Sequence, residues 1–303
     1  MVGKTEFKNK TVRMAGFAVI AAVLAVLPAW TQQAAQPAVN SVLPIEQPKG
    51  KSFAKPEDAA AALYAAARRD DEKELLTILG PDAKEIVEWS DDANERKEQR
   101  AFFAQKYEQM HRLLREPDST VALYVGAENW PLPIPLVKYK GAWYFDADLG
   151  QQEIRYRRIG RDEMEAIEVC RALVDAEKEF YASGRQYTAK FMSADNSHDG
   201  LYWKSTDSSA RSPIGPYLAH AGVGEIDGPH AQPFYGYYYR ILLQGKDGFA
   251  VLAFPAEYRS SGVMTFLVGQ DGTAYEKDFG VQTATAATNL ASSRPDGSWK
   301  RVE

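Results

Sequence analysis

Between residues 53 and 148, apolar positions recur first at helical spacing and then with the alternation typical of strands. The helical pattern predicts three helices, at about 56–69, 71–80 and 92–114. The alternating pattern predicts strands at 120–125, 134–139 and 142–145, of which the last two form a hairpin. Because helices followed by an antiparallel sheet form an α+β unit, we predict an N-terminal α+β domain over residues 53–148.

Residues 149–303 follow the same order with a longer helix and a longer irregular segment. Helical spacing predicts a helix over about 149–182, with a candidate break at Gly160. A loop rich in glycine and proline follows, and Asp271-Gly272 predicts a two-residue turn of mirror type before the final strand. The predicted strands lie at 235–243, 249–254, 263–268 and 273–277. The second domain is therefore predicted as a long helix followed by a four-stranded antiparallel meander.

The N-terminus carries the pattern of a secretory signal. A basic start precedes an uncharged run from Met14 to Trp30, an order typical of signal peptides. We predict a signal peptide over residues 1–30, a flexible proline-containing linker over 31–52, and a periplasmic or secreted protein. The seventeen uncharged residues are also at the short end of what spans a bilayer. An uncleaved anchor is therefore the alternative, and it would be the protein's contact with the membrane.

Composition and charge narrow the class of protein further. Hydrophobic residues make up 45% of the 303 residues and charged residues 25%, which is typical of a folded globular chain. The formal net charge of −5 argues against nucleic acid as a partner, because binding to phosphates depends on clustered lysine and arginine. Cys170 is the single cysteine, so no disulfide can form within the chain.

Several long motifs resemble one bacterial family. They are GYYYRILL at 236–243, GFAVLAFPAEYRSSGVMTFLVGQDGTAYEKDFG at 248–280, WPLPIPLVK at 130–138 and RRIGRDEMEAI at 157–167. Together they resemble domain of unknown function 2950 (DUF2950), and the resemblance extends over essentially the whole chain after the signal. It implies an exported bacterial protein and supplies no established activity, cofactor or catalytic residue.

The C-terminal half also resembles the globular heads of type IV pilin-like proteins. The resemblance covers residues 161–280 and consists of a long helix, a variable loop and a four-stranded meander. The resemblance implies a fold only; filament formation is not implied, because we find no counterpart of the pilin assembly helix in the pattern.

Candidate chemistry is sparse. His198, His220 and His230 fall within 33 residues, but their spacing matches no common metal-ligand pattern, so they are weak metal candidates. Ser260-Ser261-Gly262 lacks the G-x-S-x-G frame of a nucleophilic serine and is typical of a turn. We therefore predict no cofactor and assign no catalytic residue.

Aromatic residues are the strongest remaining signal. Strand alternation predicts Tyr235, Tyr237 and Tyr239 on one face, while Tyr202, Trp203 and Tyr217 lie in the preceding loop. Aromatic side chains offer much contact area for little entropy, so this set predicts a surface that binds an envelope protein or a glycan. The competing interpretation places at least half of them in the core between sheet and helix.

The predicted function is that of an exported, non-catalytic binding or assembly protein of the cell envelope. The alternatives are an envelope hydrolase with a site at the domain boundary and a divalent-metal-binding protein.

Overall fold

A computed structural model describes most of the chain after the N-terminal segment. The described residues are 48–184, 186–195, 197–204, 211–222, 231–245 and 248–302. The predicted signal peptide and most of the predicted linker therefore lie outside the described residues. The chain divides into two compact units between Ile154 and Arg155, a few residues after the boundary predicted at 148/149. We refer to them as the first unit and the second unit.

Local signals set the helix ends of the first unit. Pro56 opens the first helix at a position where its missing N–H costs nothing, and Glu57 and Asp58 favour the positive end of the helix dipole. The Asp71 carboxylate caps the second helix by accepting the Glu74 N–H at 3.0 Å. The helices are α1 (Pro56–Arg68), α2 (Glu72–Leu79), α3 (Lys84–Val87) and α4 (Ala93–Gln109).

The sheet of the first unit is antiparallel and has the order β1-β2-β4-β5, with β3 paired to β2. The predicted hairpin around Lys140-Gly141 joins β4 and β5 and is confirmed. Helices α1 and α2 contact β5, and α4 contacts β1 and β2. The strands are β1 (His111–Arg115), β2 (Val121–Val125), β3 (Trp130–Pro131), β4 (Leu136–Tyr139) and β5 (Ala142–Phe145).

The prediction that the third helix continues to Leu114 is wrong. Helix α4 ends at Gln109, and Met110 is extended, with φ −166° and ψ 139°. The Gly126 N–H then donates to the carbonyls of Lys106 and Met110, which satisfies acceptors at the helix end. Residues 111–115 pair with β2 instead, so tertiary hydrogen bonding overrides the helical spacing of the apolar residues.

In the second unit the sheet forms the middle layer, between helix α5 (Ala147–Gly184) on one face and the C-terminal segment on the other. Helix α5 continues through Gly160 without a break, and the division between the units falls within it. The other elements are α6 (Pro216–Ala219), β6 (Tyr237–Gln244), β7 (Gly248–Pro255), β8 (Thr265–Gly269), β9 (Ala274–Lys277), α7 (Thr283–Asn289) and β10 (Lys300–Arg301). The predicted meander is confirmed, and β10 adds a short fifth strand in the order β10-β9-β8-β7-β6.

The two faces of this sheet bury different parts of the chain. One face packs with α5, through residues such as Val251 and Phe266 against Cys170 and Leu173. The other face packs with the C-terminal segment. There Trp299 lies in a cluster with the alternate residues of the strands, whose side chains point away from α5. Strand β7 is therefore buried on both sides, which explains its nearly continuous apolar sequence.

The turn between β8 and β9 differs from the predicted one. The Gly272 N–H donates to the Gly269 carbonyl at 2.8 Å, and the Gly269 N–H donates to the Thr273 carbonyl at 3.0 Å. Gln270, Asp271 and Gly272 thus form a three-residue loop, and within it Gly272 has the left-handed φ of +83°. The prediction of a two-residue mirror turn is wrong. A mirror turn of type I′ or II′ requires a positive φ at its first central residue, which would be Asp271, and Asp271 has no positive φ.

We expect the Gly272→Val variant to lose about 1–3 kcal/mol of unfolding free energy, because a β-branched residue is strained at positive φ. Nothing lies within 4 Å of an added Cβ, so the loss would come from the backbone alone. Urea denaturation measures the effect. Gly297→Val is the matched control, since Gly297 also faces open space but lacks a positive φ. Equal stability of the two variants would contradict the strain argument.

Candidate functional site

Two of the predicted contact residues belong to the core. Tyr237 and Tyr239 are 0% exposed and pack with the residues of α5. Their hydroxyls donate to the carbonyls of Met264 (3.0 Å) and Phe234 (3.1 Å), and burial raises the pKa of both phenols. The placement of these two tyrosines on a contact surface is therefore wrong, because the face they share is the one that α5 covers.

Tyr235 does not share that face. It precedes β6 with a φ of +49°, and its side chain is 46% exposed. Tyr217 on α6 is 73% exposed. Tyr202 and Trp203 are half-buried against the core, and the Trp203 ring stacks on His198 at 4.4 Å. The contact surface therefore remains a prediction for Tyr202, Trp203, Tyr217 and Tyr235 only. Residues 205–210 of the loop between Trp203 and Tyr217 lie outside the described residues.

The described histidines do not belong to an arrangement that resembles a metal site. His198 and His220 are exposed, and His230 lies outside the described residues. Within the described ranges, no group of three or more histidine, cysteine, aspartate or glutamate side chains is placed to hold a metal ion. Cys170 is fully buried, and burial raises the pKa of its thiol, which makes it a poor nucleophile.

One half-buried carboxylate in the second unit holds the backbone. The Glu163 carboxylate accepts the N–H groups of Val263 (2.9 Å) and Met264 (3.0 Å), which fastens the start of β8 to α5. Ser261 exchanges hydrogen bonds with the backbone of Glu257, as expected for a turn residue. These contacts give the Glu163 and Ser261 side chains a structural role.

The first unit contains an apolar cavity of about 140 Å³, which sequence reasoning did not predict. Residues of helices α1, α2, α3 and α4 line it, together with residues from β2 to Ile134. We call it the α4 cavity. Its apolar lining residues are Leu63, Ala67, Leu75, Leu79, Ile86, Val87, Trp89, Phe102, Phe103, Val125, Trp130, Leu132 and Ile134.

The cavity exists because α4 covers the other elements incompletely. Of its seventeen residues, Ala104 and Tyr107 are the ones that are buried, and the helix carries no continuous apolar stripe. Phe102 and Phe103 reach the cavity but remain half-exposed. The low apolar content of α4 is the one sequence signal that could have indicated an underpacked helix. The individual lining residues look like ordinary core.

The charged side chains around the cavity are held in ion pairs. Arg100 bonds to Asp70 at 2.6 Å and to Glu72 at 3.2 Å, which ties α4 to the start of α2. Lys106 contacts both oxygens of Glu128, at 2.8 and 2.9 Å, and this hydrogen bond lowers the pKa of the Glu128 carboxyl. Because each of these cations faces an anion, the surroundings of the cavity carry little net charge.

One uncharged polar side chain lines the cavity as well. Gln99 lies on α4 between Arg96 and Arg100, and its Nε2 is shielded from solvent. Among the described residues, this nitrogen has no hydrogen-bond partner. A buried donor without a partner is unusual in folded proteins. The cavity therefore has an apolar wall and, beside it, one amide whose Nε2 has no partner among the described residues.

These features define a class of two-unit α+β proteins in which each unit builds an antiparallel sheet covered by helices. Residues 50–302 match the family model described as Protein of unknown function (DUF2950), and the chain belongs to this family. The family predicted from the sequence motifs is thereby confirmed. No curated protein and no solved structure matches the chain. The resemblance of the second unit to pilin-like heads stays a prediction.

Helix α5 is long enough to cross a bilayer, but charged residues occur along its whole length. Across the part of the chain that the structure describes, no helix combines sufficient length and apolar character for a membrane span.

Proposed function

We propose that this protein is an exported, non-catalytic binding protein whose first unit takes up a small apolar group in the α4 cavity. The observation that carries the proposal is the cavity itself, with its volume of about 140 Å³ and its wall of leucine, isoleucine, valine and aromatic residues. An engineered protein cavity of about 150 Å³ with such a wall stays dry and binds benzene or xenon. The α4 cavity is thus suited to one six-membered ring or a short branched chain.

The expected affinity of such a group by itself is weak. Burying six carbon atoms contributes about 5 kcal/mol at about 0.8 kcal/mol per methylene. The entropy of association offsets much of that gain, so a bare ring should bind with a dissociation constant of about 1 mM or weaker. A natural ligand would add further contacts outside the cavity and would bind more tightly.

Export is supported by the N-terminal pattern of a basic start and an uncharged run from Met14 to Trp30. We expect the intact gene to deliver a shortened chain outside the inner membrane, whereas a gene lacking residues 1–30 should leave the protein in the cytoplasm. Cell fractionation and N-terminal sequencing test this. An uncut chain in the membrane fraction would replace the signal peptide with the anchor.

Binding is tested with toluene and indole as probes on the purified protein. We expect saturation-transfer NMR signals from both probes, and an increase in Tm of about 2 °C at three times the dissociation constant. Ala67 is buried and lines the cavity, so Ala67→Leu should fill the space and abolish both effects. Ala61→Leu places the same side chain on the exposed face of α1 and should bind like the wild type. Absence of both effects in the wild type would refute the proposal.

A further inference from the structure

The polar lining of the α4 cavity points to the chemistry of its ligand. Four charged residues line the cavity, and each is engaged in an ion pair: Arg96 with Glu72, Arg100 with Asp70 and Glu72, and Lys106 with Glu128. A ligand that bound to one of them would have to displace its partner. The charged groups are therefore poor candidates for ligand recognition.

Gln99 is in a different situation. Its Nε2 is buried and has no acceptor among the described residues, so the folded protein loses the hydrogen bond that this group makes with water in the unfolded chain. The terminal torsion of a glutamine amide is broad, so a small rotation can turn the amide towards a molecule in the cavity. An apolar side chain at this position would avoid the loss, which makes the amide costly unless a ligand uses it.

We infer that the α4 cavity binds a six-membered-ring or short branched-chain compound that carries a carbonyl-type oxygen, and that Gln99 donates a hydrogen bond to this oxygen. The inference rests on the proposed function and specifies its ligand class. The ring fills the apolar wall of the cavity, and the oxygen accepts from Nε2. Neutrality of the ligand follows from the paired charges around the cavity, since no free cation is present among the described lining residues to compensate a carboxylate.

The test compares two probes of similar shape, cyclohexanone and methylcyclohexane. The measured quantity is the ratio of their dissociation constants, obtained by NMR titration of the purified wild type and of Gln99→Leu. We expect the ratio of ketone to hydrocarbon to rise about tenfold in the variant, because the variant loses only the hydrogen bond to the ketone. Comparing ratios removes the difference in hydration between the two probes.

A control variant and a stability measurement separate ligand recognition from a structural role. Gln105→Leu changes the same side chain on the exposed face of α4 and should leave the ratio unchanged. Gln99→Leu should keep or raise the Tm of the free protein, since it removes an unpaired donor. A lower Tm would instead indicate that the amide supports the fold and would overturn the inference. Gln99→Met also removes the donor and should give the same change in the ratio and no lower Tm.

Failure of the inference and failure of the proposed function give different results. If methylcyclohexane and toluene bind but the ratio is the same in wild type and Gln99→Leu, the ligand class is wrong and the cavity remains a binding site. If no probe binds the wild type, both the proposed function and the inference are refuted.

Discussion

The free energy of unfolding will fall by about 3 kcal/mol between pH 4.5 and about pH 7 through the titration of Glu177 alone. Glu177 lies on α5 and is 0% exposed in the core. One carboxyl oxygen accepts the Thr188 N–H at 3.2 Å, and the other has no partner among the described residues. Burial disfavours the charged form and raises the pKa of this carboxyl to about 7 from an ordinary value of 4.5.

The direction of the effect follows from proton uptake. Between pH 4.5 and about pH 7 the folded protein keeps the proton on Glu177, whereas the unfolded chain has released it. Raising the pH in this range therefore favours the unfolded state, and the stabilisation from the bound proton is complete only below pH 4.5. This is opposite to the usual behaviour of a salt-bridged carboxylate.

Urea denaturation of the wild type and of Glu177→Gln, at several pH values, measures this contribution. Glutamine resembles the protonated acid and can still accept the Thr188 N–H, so the difference between the two proteins should grow with pH in favour of the variant. Glu179→Gln, on the exposed side of the same helix, serves as the control and should show no such trend. Parallel stability curves for the wild type and Glu177→Gln would contradict the prediction.

The Gly262→Ala variant will lose about 3 kcal/mol of unfolding free energy, at the upper end for overpacking by one methyl group. A Cβ at position 262 would overlap the hydroxyl of Tyr237 and would lie 2.8 Å from its Cε2. The tyrosine cannot move away easily, because it is fully buried and its hydroxyl donates to Met264. Glu163 holds the backbone directly after Gly262 by accepting from Val263 and Met264.

Thermal and urea denaturation of Gly262→Ala test this, with Gly297→Ala as the control in open space. Combining Gly262→Ala with Tyr237→Phe should recover part of the loss, since removing the hydroxyl removes the most severe overlap. The double variant should therefore be more stable than the sum of the single effects. Equal stability of Gly262→Ala and Gly297→Ala would show that the tyrosine shifts without cost.

Much of the local structure could be predicted because its causes are local. Pro56, Asp71 and Gly80 mark helix ends by backbone geometry and capping, which depend on a few neighbouring residues. The hairpin at Lys140-Gly141 and the meander from β6 to β9 follow from turn residues and strand alternation. The family follows from motifs that are long enough to be specific by themselves.

The candidate site could not be predicted in the same way. The sequence shows that Tyr237 and Tyr239 share a face, but the packing of α5 decides that this face is buried. Leucine and isoleucine in the wall of the α4 cavity are the same residue types that fill the core elsewhere in the first unit. Whether such residues meet a neighbouring atom or an empty space depends on the distance between elements that are far apart in the chain.

Sequence patterns were sufficient for the α+β class, the family, the long helix with the strand meander that follows it, and the placement of a signal-like segment before the two domains. Only the tertiary structure decided that residues 111–115 form a strand, that the aromatic strand faces the core, and that the first unit holds a cavity beside Gln99. The physical reason is common to all three. Hydrogen bonding between strands, burial and packing voids are set by contacts between distant residues, whereas spacing patterns report only the preferences of neighbours.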